Sequence, residues 1–320
     1  MSANGKGGRR PNVLGVHSID HFAVEVPDLD EARRFYVSFG LDVRDKDGTI
    51  ELYTRGNPHR WAILTQSEGP KRLRYLSFGI FEDEVDAFRT HLAGCGVRFI
   101  DAPEGAESNG IWFAGMDGLP VNIRVAEKAT PDEKSRFGFT SALPGQSGAV
   151  PNSKAPKIYP RRLSHFALFC SDVPAGIAFY EKTLGLRLSD QSGPAVAFLH
   201  GVHGSDHHLL ALVMSDRRGM HHNSWDVGSV MEVGLGGSMM ERAGYGPGWG
   251  TGQHVLGANY FYYVRDPWGS YSEYSADIDY IPADCDWPSA DHPPEDSMFL
   301  WGPNPPPEFI QNFEPTENAA

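Results

Sequence analysis

Arg162-Leu163-Ser164-His165-Phe166-Ala167 repeats, in kind and in order, Ser18-Ile19-Asp20-His21-Phe22-Ala23. Each copy runs on to an aromatic pair, Phe35-Tyr36 or Phe179-Tyr180, at the same separation from its histidine, and then to Gly40-Leu41 or Gly185-Leu186. Alternating side chains after each histidine (Phe22, Val24, Val26; Phe166, Leu168, Cys170) read as a half-buried strand. Asp28-Leu29-Asp30-Glu31-Ala32 supplies the acidic opening of a helix. Each copy therefore begins strand, helix, strand. Apolar stretches at 73–80 and 111–116, and at 260–264 in the second half, continue the strand pattern. Between the halves, residues 127–160 are rich in Pro, Gly, Ser and Lys without apolar periodicity, as a linker would be. The expectation is an α+β chain of two tandem modules, 15–126 and 161–280, with a linker at 127–160 and a packing tail at 281–320.

The bulk composition agrees with two cores: 320 residues, 40% hydrophobic and 22% charged. Met1 to Pro11 is basic and polar with no apolar segment behind it, and no run approaches the roughly 18 apolar residues of a spanning helix. Cys95, Cys170 and Cys285 lack pairing spacing, which suits free thiols in a reducing compartment, and a cytoplasmic location is expected. A formal charge of −13, with basic pairs only at Arg9-Arg10 and Arg161-Arg162, argues against nucleic acid as a partner.

Reading one half against the other locates the chemistry. His222-Asn223-Ser224-Trp225 stands where the first half has Tyr75-Leu76-Ser77-Phe78, and Asp266 to Glu273 corresponds to Asp117 to Arg124. The first half keeps only His21, expected to be packed between strands without a function. A guanidinium beside a divalent cation would be strongly repelled in a dry cavity, so the second half is expected to be active and the first a scaffold. Eight of the thirteen histidines lie between 165 and 254. From Gln253-His254 through Asp266-Pro267-Trp268-Gly269 to Glu273, a histidine, a tyrosine pair and a carboxylate fall on a strand, a tight turn and a second strand. Two imidazoles and one carboxylate form the set that holds non-heme Fe(II) on one face and leaves the other open. His200 and His203, in a glycine-containing loop, are expected to be solvated. The eight glycines of 234–252, with Met239, Met240, Tyr245 and Trp249, read either as a pocket mouth or as a surface loop. The tail carries Trp287, Phe299, Leu300, Trp301 and Phe309, too apolar for disorder, and is expected to pack across its own domain or a neighbouring subunit.

His254, Tyr262-Tyr263, Asp266-Pro267, Gly269 and Glu273 together resemble the signature of the type I extradiol ring-cleaving dioxygenases of the vicinal oxygen chelate superfamily. Tyr262 departs from the aliphatic residue or Phe usual in the family, while the Leu-Ser-His and Met-His-His segments also match. The resemblance implies modules of paired βαβββ units with the metal inside the open barrel of the C-terminal one. It implies Fe(II), with Mn(II) as the alternative, ligated by His165, His222 and Glu273. His222 is chosen over His221 because its spacing to His254 fits the family and because adjacent residues of a strand point to opposite faces. By the same resemblance His207, with His208 as the fallback, assists substrate deprotonation. His254 donates to a bound oxygen, and Tyr263 donates to a ring hydroxyl. The implied partners are a catechol, O2 and further copies of the chain in a homo-oligomer. Two rival readings share the fold. A metal-dependent glyoxalase-like lyase or isomerase would draw ligands from two modules and add a carboxylate, and a non-catalytic aromatic-binding module would lack the triad.

Overall fold

The computed structural model describes residues 8–138, 141–246 and 248–316; residues 1–7 of the basic N-terminal stretch lie outside these. The first module runs β1 (Ser18–Val26), α1 (Leu29–Phe39), β2 (Asp42–Lys46), β3 (Thr49–Tyr53) and β4 (Arg60–Gln66). It continues β5 (Arg72–Ile80), α2 (Val85–Cys95), β6 (Ile111–Ala114) and β7 (Pro120–Val125). The second runs β8 (Arg162–Cys170), α3 (Val173–Leu184), β9 (Arg187–Ser192), β10 (Val196–His200), β11 (Ser205–Asp206) and β12 (Leu210–Met214). Its other half is β13 (Gly219–Asp226), α4 (Val230–Arg242), β14 (Trp249–Gln253), β15 (Tyr260–Arg265) and β16 (Tyr271–Ala276). In the tail, β17 (Tyr280–Ile281) pairs with β11, and β18 (Ala290–Asp291) with β9.

The repeat seen in the sequence is a repeat of helix signals. Asp28 and Asp172 cap α1 and α3 by accepting from the backbone N–H three residues on, and Gly40 and Gly185 end these helices in left-handed backbone. Each sheet is built around an antiparallel pair, β1 with β5 and β8 with β13, and each central strand has a parallel partner on its outer side. The order in the second sheet is β14-β15-β16-β13-β8-β12-β10-β9-β18. Side chains from β10 and β12 on one flank and β14 and β15 on the other line one cavity, so the sheet curves around it.

At the corresponding positions of the first module the side chains satisfy one another. His21 Nδ1 donates to Asp20 at 2.7 Å, and Nε2 accepts from the Tyr75 hydroxyl at 3.2 Å. Trp112 packs edge-on against Tyr75, and Ala23, Ile63, Ile100, Ala102 and Ala106 complete the plug. The ladders also correct the sequence alignment. Ser77 faces Asn122 as Ser224 faces Glu273, so Asn122 and not Arg124 stands at the carboxylate position. Asn122 follows Asp117 by five residues whereas Glu273 follows Asp266 by seven, and equal spacing from the Asp therefore misaligns them.

The glycine-rich stretch is mostly neither mouth nor loop: Ser229 caps α4, and Gly236 and Gly237 lie inside it. A Cβ at Gly236 would stand 2.8 Å from the Tyr274 ring and one at Gly237 2.6 Å from Tyr262, so these glycines let the helix lie directly on two aromatic rings. The modules are tied by Phe39 stacked on Tyr274 at 3.9 Å, by Phe22 against Phe166, and by a buried ion pair between Lys71 and Asp266. Asp266 Oδ1 meanwhile accepts from the backbone N–H of Trp268 and Ser270, holding the tight turn. Glu314 of the tail accepts from Leu73 N–H and Met220 N–H, one in each module. No helix among the described residues is long and apolar enough to cross a membrane. Replacing Lys71 by Met strands the Asp266 carboxylate and should lower unfolding free energy by about 3–5 kcal/mol in urea titration, whereas Arg44→Met at an exposed pair should leave the unfolding midpoint nearly unchanged.

Candidate metal centre

His165 on β8, His222 on β13 and Glu273 on β16 project from three adjacent strands. His165 Nε2 lies 3.2 Å from His222 Nε2 and 3.1 Å from Glu273 Oε2, with His222 Nε2 3.7 Å from the same oxygen. All three residues are buried, and one ligand atom from each falls within 4.8 Å of the others. Glu273 Oε2 has no hydrogen-bond donor although it is buried. A buried, unpaired carboxylate oxygen facing two imidazole nitrogens is a costly arrangement without a cation and a fitting one with it. The donor set therefore fits a divalent metal of the iron or manganese type.

The surrounding hydrogen bonds set each ligand's protonation. Arg162 and Ser164 both donate to Asp206, leaving Ser164 Oγ to face His165 Nδ1 at 3.4 Å and His165 Nε2 bare. His221 hydrogen-bonds the Phe309 backbone, so its Nδ1 accepts from His222 Nδ1 at 2.7 Å and His222 Nε2 is likewise bare. Burial pushes His222 well below the ordinary imidazole range and His221 down to about 4, so both rings are neutral at pH 7. Burial also opposes the Glu273 charge, but the imidazoles facing it, His165 foremost, outweigh it and hold the carboxyl below its usual range. Asn259 Nδ2 donates to Glu273 Oε1 at 3.0 Å and fixes the carboxylate's rotation. His221 does not point away from the site as strand alternation predicts. The β8–β13 ladder shifts register between Met220 and His222, and this bulge brings both rings to the cavity, their centroids 4.9 Å apart.

Above the triad lies a cavity of about 240 Å³. Its walls are mostly apolar: Val196, Phe198, Ala211, Val213, Trp249 and Leu256, with Met298, Phe309 and Ile310 of the tail closing one side. Among the described residues that line it there is no Lys, Arg, Asp or Glu. Of the three side chains expected to act on substrate, His254 and Tyr263 line this cavity and His207 does not. The His207 ring turns away to Asp190, and His208 takes the cavity position, its ring 4.1 Å from His165 and 4.8 Å from Phe198. His254 Nδ1 donates to the Met298 carbonyl at 2.7 Å, so Nε2 accepts from the Tyr263 hydroxyl at 2.9 Å. In this state His254 is an acceptor where a donor was expected. Burial and the Glu273 charge push the Tyr263 phenol well above its ordinary value, and it keeps its proton. His200 and His203 are buried, not solvated: His200 faces Ser189 Oγ, and His203 ties down the N-terminal segment through Arg10 N–H and the Gly15 carbonyl. Asn259 and the tail carbonyls escaped the sequence reading. A buried Asn between His254 and Tyr262 was a usable signal, whereas the tail's reach was not.

Comparison with known proteins agrees with this geometry. Residues 18–123 and 162–274 match the family described as the Glyoxalase/Bleomycin resistance protein/Dioxygenase superfamily. The chain is 50% identical over 299 residues to metapyrocatechase 2 of Cupriavidus necator, covering 93% of each. It shares its fold with the Mn(II)-bound glyoxalase from Novosphingobium aromaticivorans (TM-score 0.74, 22% identity, covering 96% of this chain and 97% of that one). It shares it too with homoprotocatechuate 2,3-dioxygenase from Arthrobacter globiformis (TM-score 0.73, 20% identity, 96% and 95%). A curved sheet with its His-His-Glu triad in the second of two such modules, and this identity along nearly the whole chain, place the protein in that superfamily, among the type I extradiol dioxygenases. Asn259→Ala should weaken metal affinity about 10- to 100-fold in competition with a chelator, with the far-ultraviolet circular dichroism unchanged.

Proposed function

We propose that the protein is an Fe(II)-dependent extradiol dioxygenase that opens the ring of a catechol beside its diol. Both atoms of O2 enter the product, a ring-opened semialdehyde acid or its keto counterpart. The observation that carries this reading is the bare Glu273 Oε2 between two bare imidazole nitrogens at the floor of an apolar cavity. All three ligands come from one module, and no fourth carboxylate joins them among the described residues, which favours this reaction over glyoxalase-like isomerisation. The bound iron would supply Lewis-acid binding of the two catechol oxygens and a spin-allowed path for ring electrons to dioxygen. Mn(II) accepts the same ligands.

The chain's own groups supply the rest. Two neutral imidazoles and one carboxylate leave a divalent site with about one net positive charge, which favours the catechol as an anion. His208, and not His207, is placed to take the hydroxyl proton and return it. Tyr263 and His254 share a proton at 2.9 Å and can present it to an oxygen on which charge builds. Val196, Phe198, Ala211, Val213 and the tail side chains exclude water from the ring. A ring carboxylate seated among them would be a buried charge without a partner. Free Cys95, Cys170 and Cys285 support a cytoplasmic setting, and exposed Leu300, Trp301 and Ile310 on the tail support a homo-oligomer.

Iron-loaded protein with catechol should consume O2 and form a yellow ring-fission product, and chelation of the iron should abolish both; the absence of uptake across a catechol panel would refute the reading. His208→Ala should lower kcat by about 10²- to 10⁴-fold while iron content is retained. Alkyl-substituted catechols should exceed carboxylate-bearing ones in kcat/KM by at least about 10²-fold, the equivalent of a few kcal/mol for the unpaired charge.

A further inference from the structure

The buried group that this chemistry leaves unused is His207, and its surroundings form a directed chain of hydrogen bonds. Asp190 on β9 is surrounded by donors. Its Oδ2 receives Trp287 Nε1 at 3.2 Å, and its Oδ1 receives the Ala290 backbone N–H at 3.1 Å. His292 Nε2 lies 2.8 Å from Oδ1 and His207 Nε2 2.8 Å from Oδ2. Burial alone would raise the Asp190 carboxyl, but the hydrogen bonds from His207 and His292 outweigh it and keep the group ionised. An ionised carboxylate only accepts, so His207 carries its proton on Nε2. In the neutral ring Nδ1 then holds a lone pair, and 3.1 Å from it lies His208 Nδ1. Two lone pairs cannot face each other across that distance, so His208 carries its own proton on Nδ1. The lone pair of the neutral His208 ring is consequently on Nε2, the nitrogen free of this chain. The His207 ring has little freedom to reorder: it is fully buried, with Trp287 edge-on at 5.4 Å and Phe198 at 6.0 Å.

We infer that Asp190, acting through His207, is a positioning residue that holds His208 in the tautomer whose Nε2 can accept a proton from substrate. The adjacent histidines thus divide the work between them. His208 meets the cavity, and His207 relays the constraint from a carboxylate on the far side of its ring. The tail takes part, since Trp287, Ala290 and His292 saturate the remaining lone pairs of Asp190 and keep it acceptor-only. The inference rests on the assignment of His208 as the proton acceptor.

In the full-length iron-loaded protein, Asp190→Ala should lower kcat about 10²-fold, with KM for catechol and bound iron within about threefold of wild type. Asp190→Glu, which keeps the acceptor, should recover most of that loss. A readout independent of turnover is the 15N spectrum of histidine-labelled protein carrying diamagnetic zinc. His208 should be protonated at Nδ1 in the wild type and lose that preference in Asp190→Ala. Wild-type His208 protonated at Nε2, or an Asp190→Ala protein with unchanged kcat, would overturn the inference; should Asp190→Ala fail to fold, the wild-type spectrum decides alone. An essential His208 beside a silent Asp190 overturns only this relay, whereas a fully active His208→Ala protein also removes the acid–base assignment beneath it.

Discussion

Glu273 sits at the centre of the catalytic module with one oxygen held by Asn259 and the other facing only imidazole nitrogens. A naked carboxylate oxygen in a dry interior is tolerable only if something positive completes it. Burial keeps His222 neutral at pH 7, and acceptors on the Nδ1 sides of His165 and His222 leave both Nε2 lone pairs facing the site, so these nitrogens offer electron pairs and do not supply that charge. A divalent cation does. The arrangement of β8, β13 and β16 side by side, with the two outer flanks of the sheet curving over them, exists around this requirement.

The two modules show how one architecture is made reactive or inert by a few side chains. At the position of His222 the first module has Tyr75, whose hydroxyl satisfies His21 directly, with Trp112 packed edge-on against its ring. At the position of Glu273 it has Asn122, a neutral group satisfied within the protein by Ser77. What remains is a rigid partner. It offers α1 to α4, stacks Phe39 on Tyr274 behind the β16 strand that carries Glu273, and pairs Lys71 with the aspartate that shapes the turn before it. The inert half thus positions the active one.

The tail is part of the site. Its Met298 carbonyl selects the tautomer of His254, its Phe309 backbone does so for His221 and through it His222, and its Trp287 and His292 surround Asp190. Phe309 also packs against Trp249, Tyr263 and Tyr271, so the segment is held by its own apolar contacts. Backbone carbonyls and a carboxylate outside the cavity decide which histidine nitrogens face the metal and the substrate.

Much of this was legible in the chain. The duplicated His-Phe-Ala strands with their Asp caps and terminal glycines are local signals, and local signals survive reading one residue at a time. The triad was legible too, because its members lie in strands whose spacing a long motif registers. The side on which a histidine lies was not. His221 reaches the cavity through a bulge, His207 leaves it for Asp190, and Gly236 and Gly237 mark a helix lying on aromatic rings and not a loop. Each of these outcomes depends on a partner 17 or more residues away in the chain: Asp190 for His207, Tyr274 and Tyr262 for the glycines, Phe309 for His221. By itself the sequence determined the two-module plan and the donor set, since strand period and residue chemistry are carried by the chain. Only tertiary structure decided which imidazole faces the substrate and in which tautomer, because a ring's direction and its proton are set by whatever group packs on its far side.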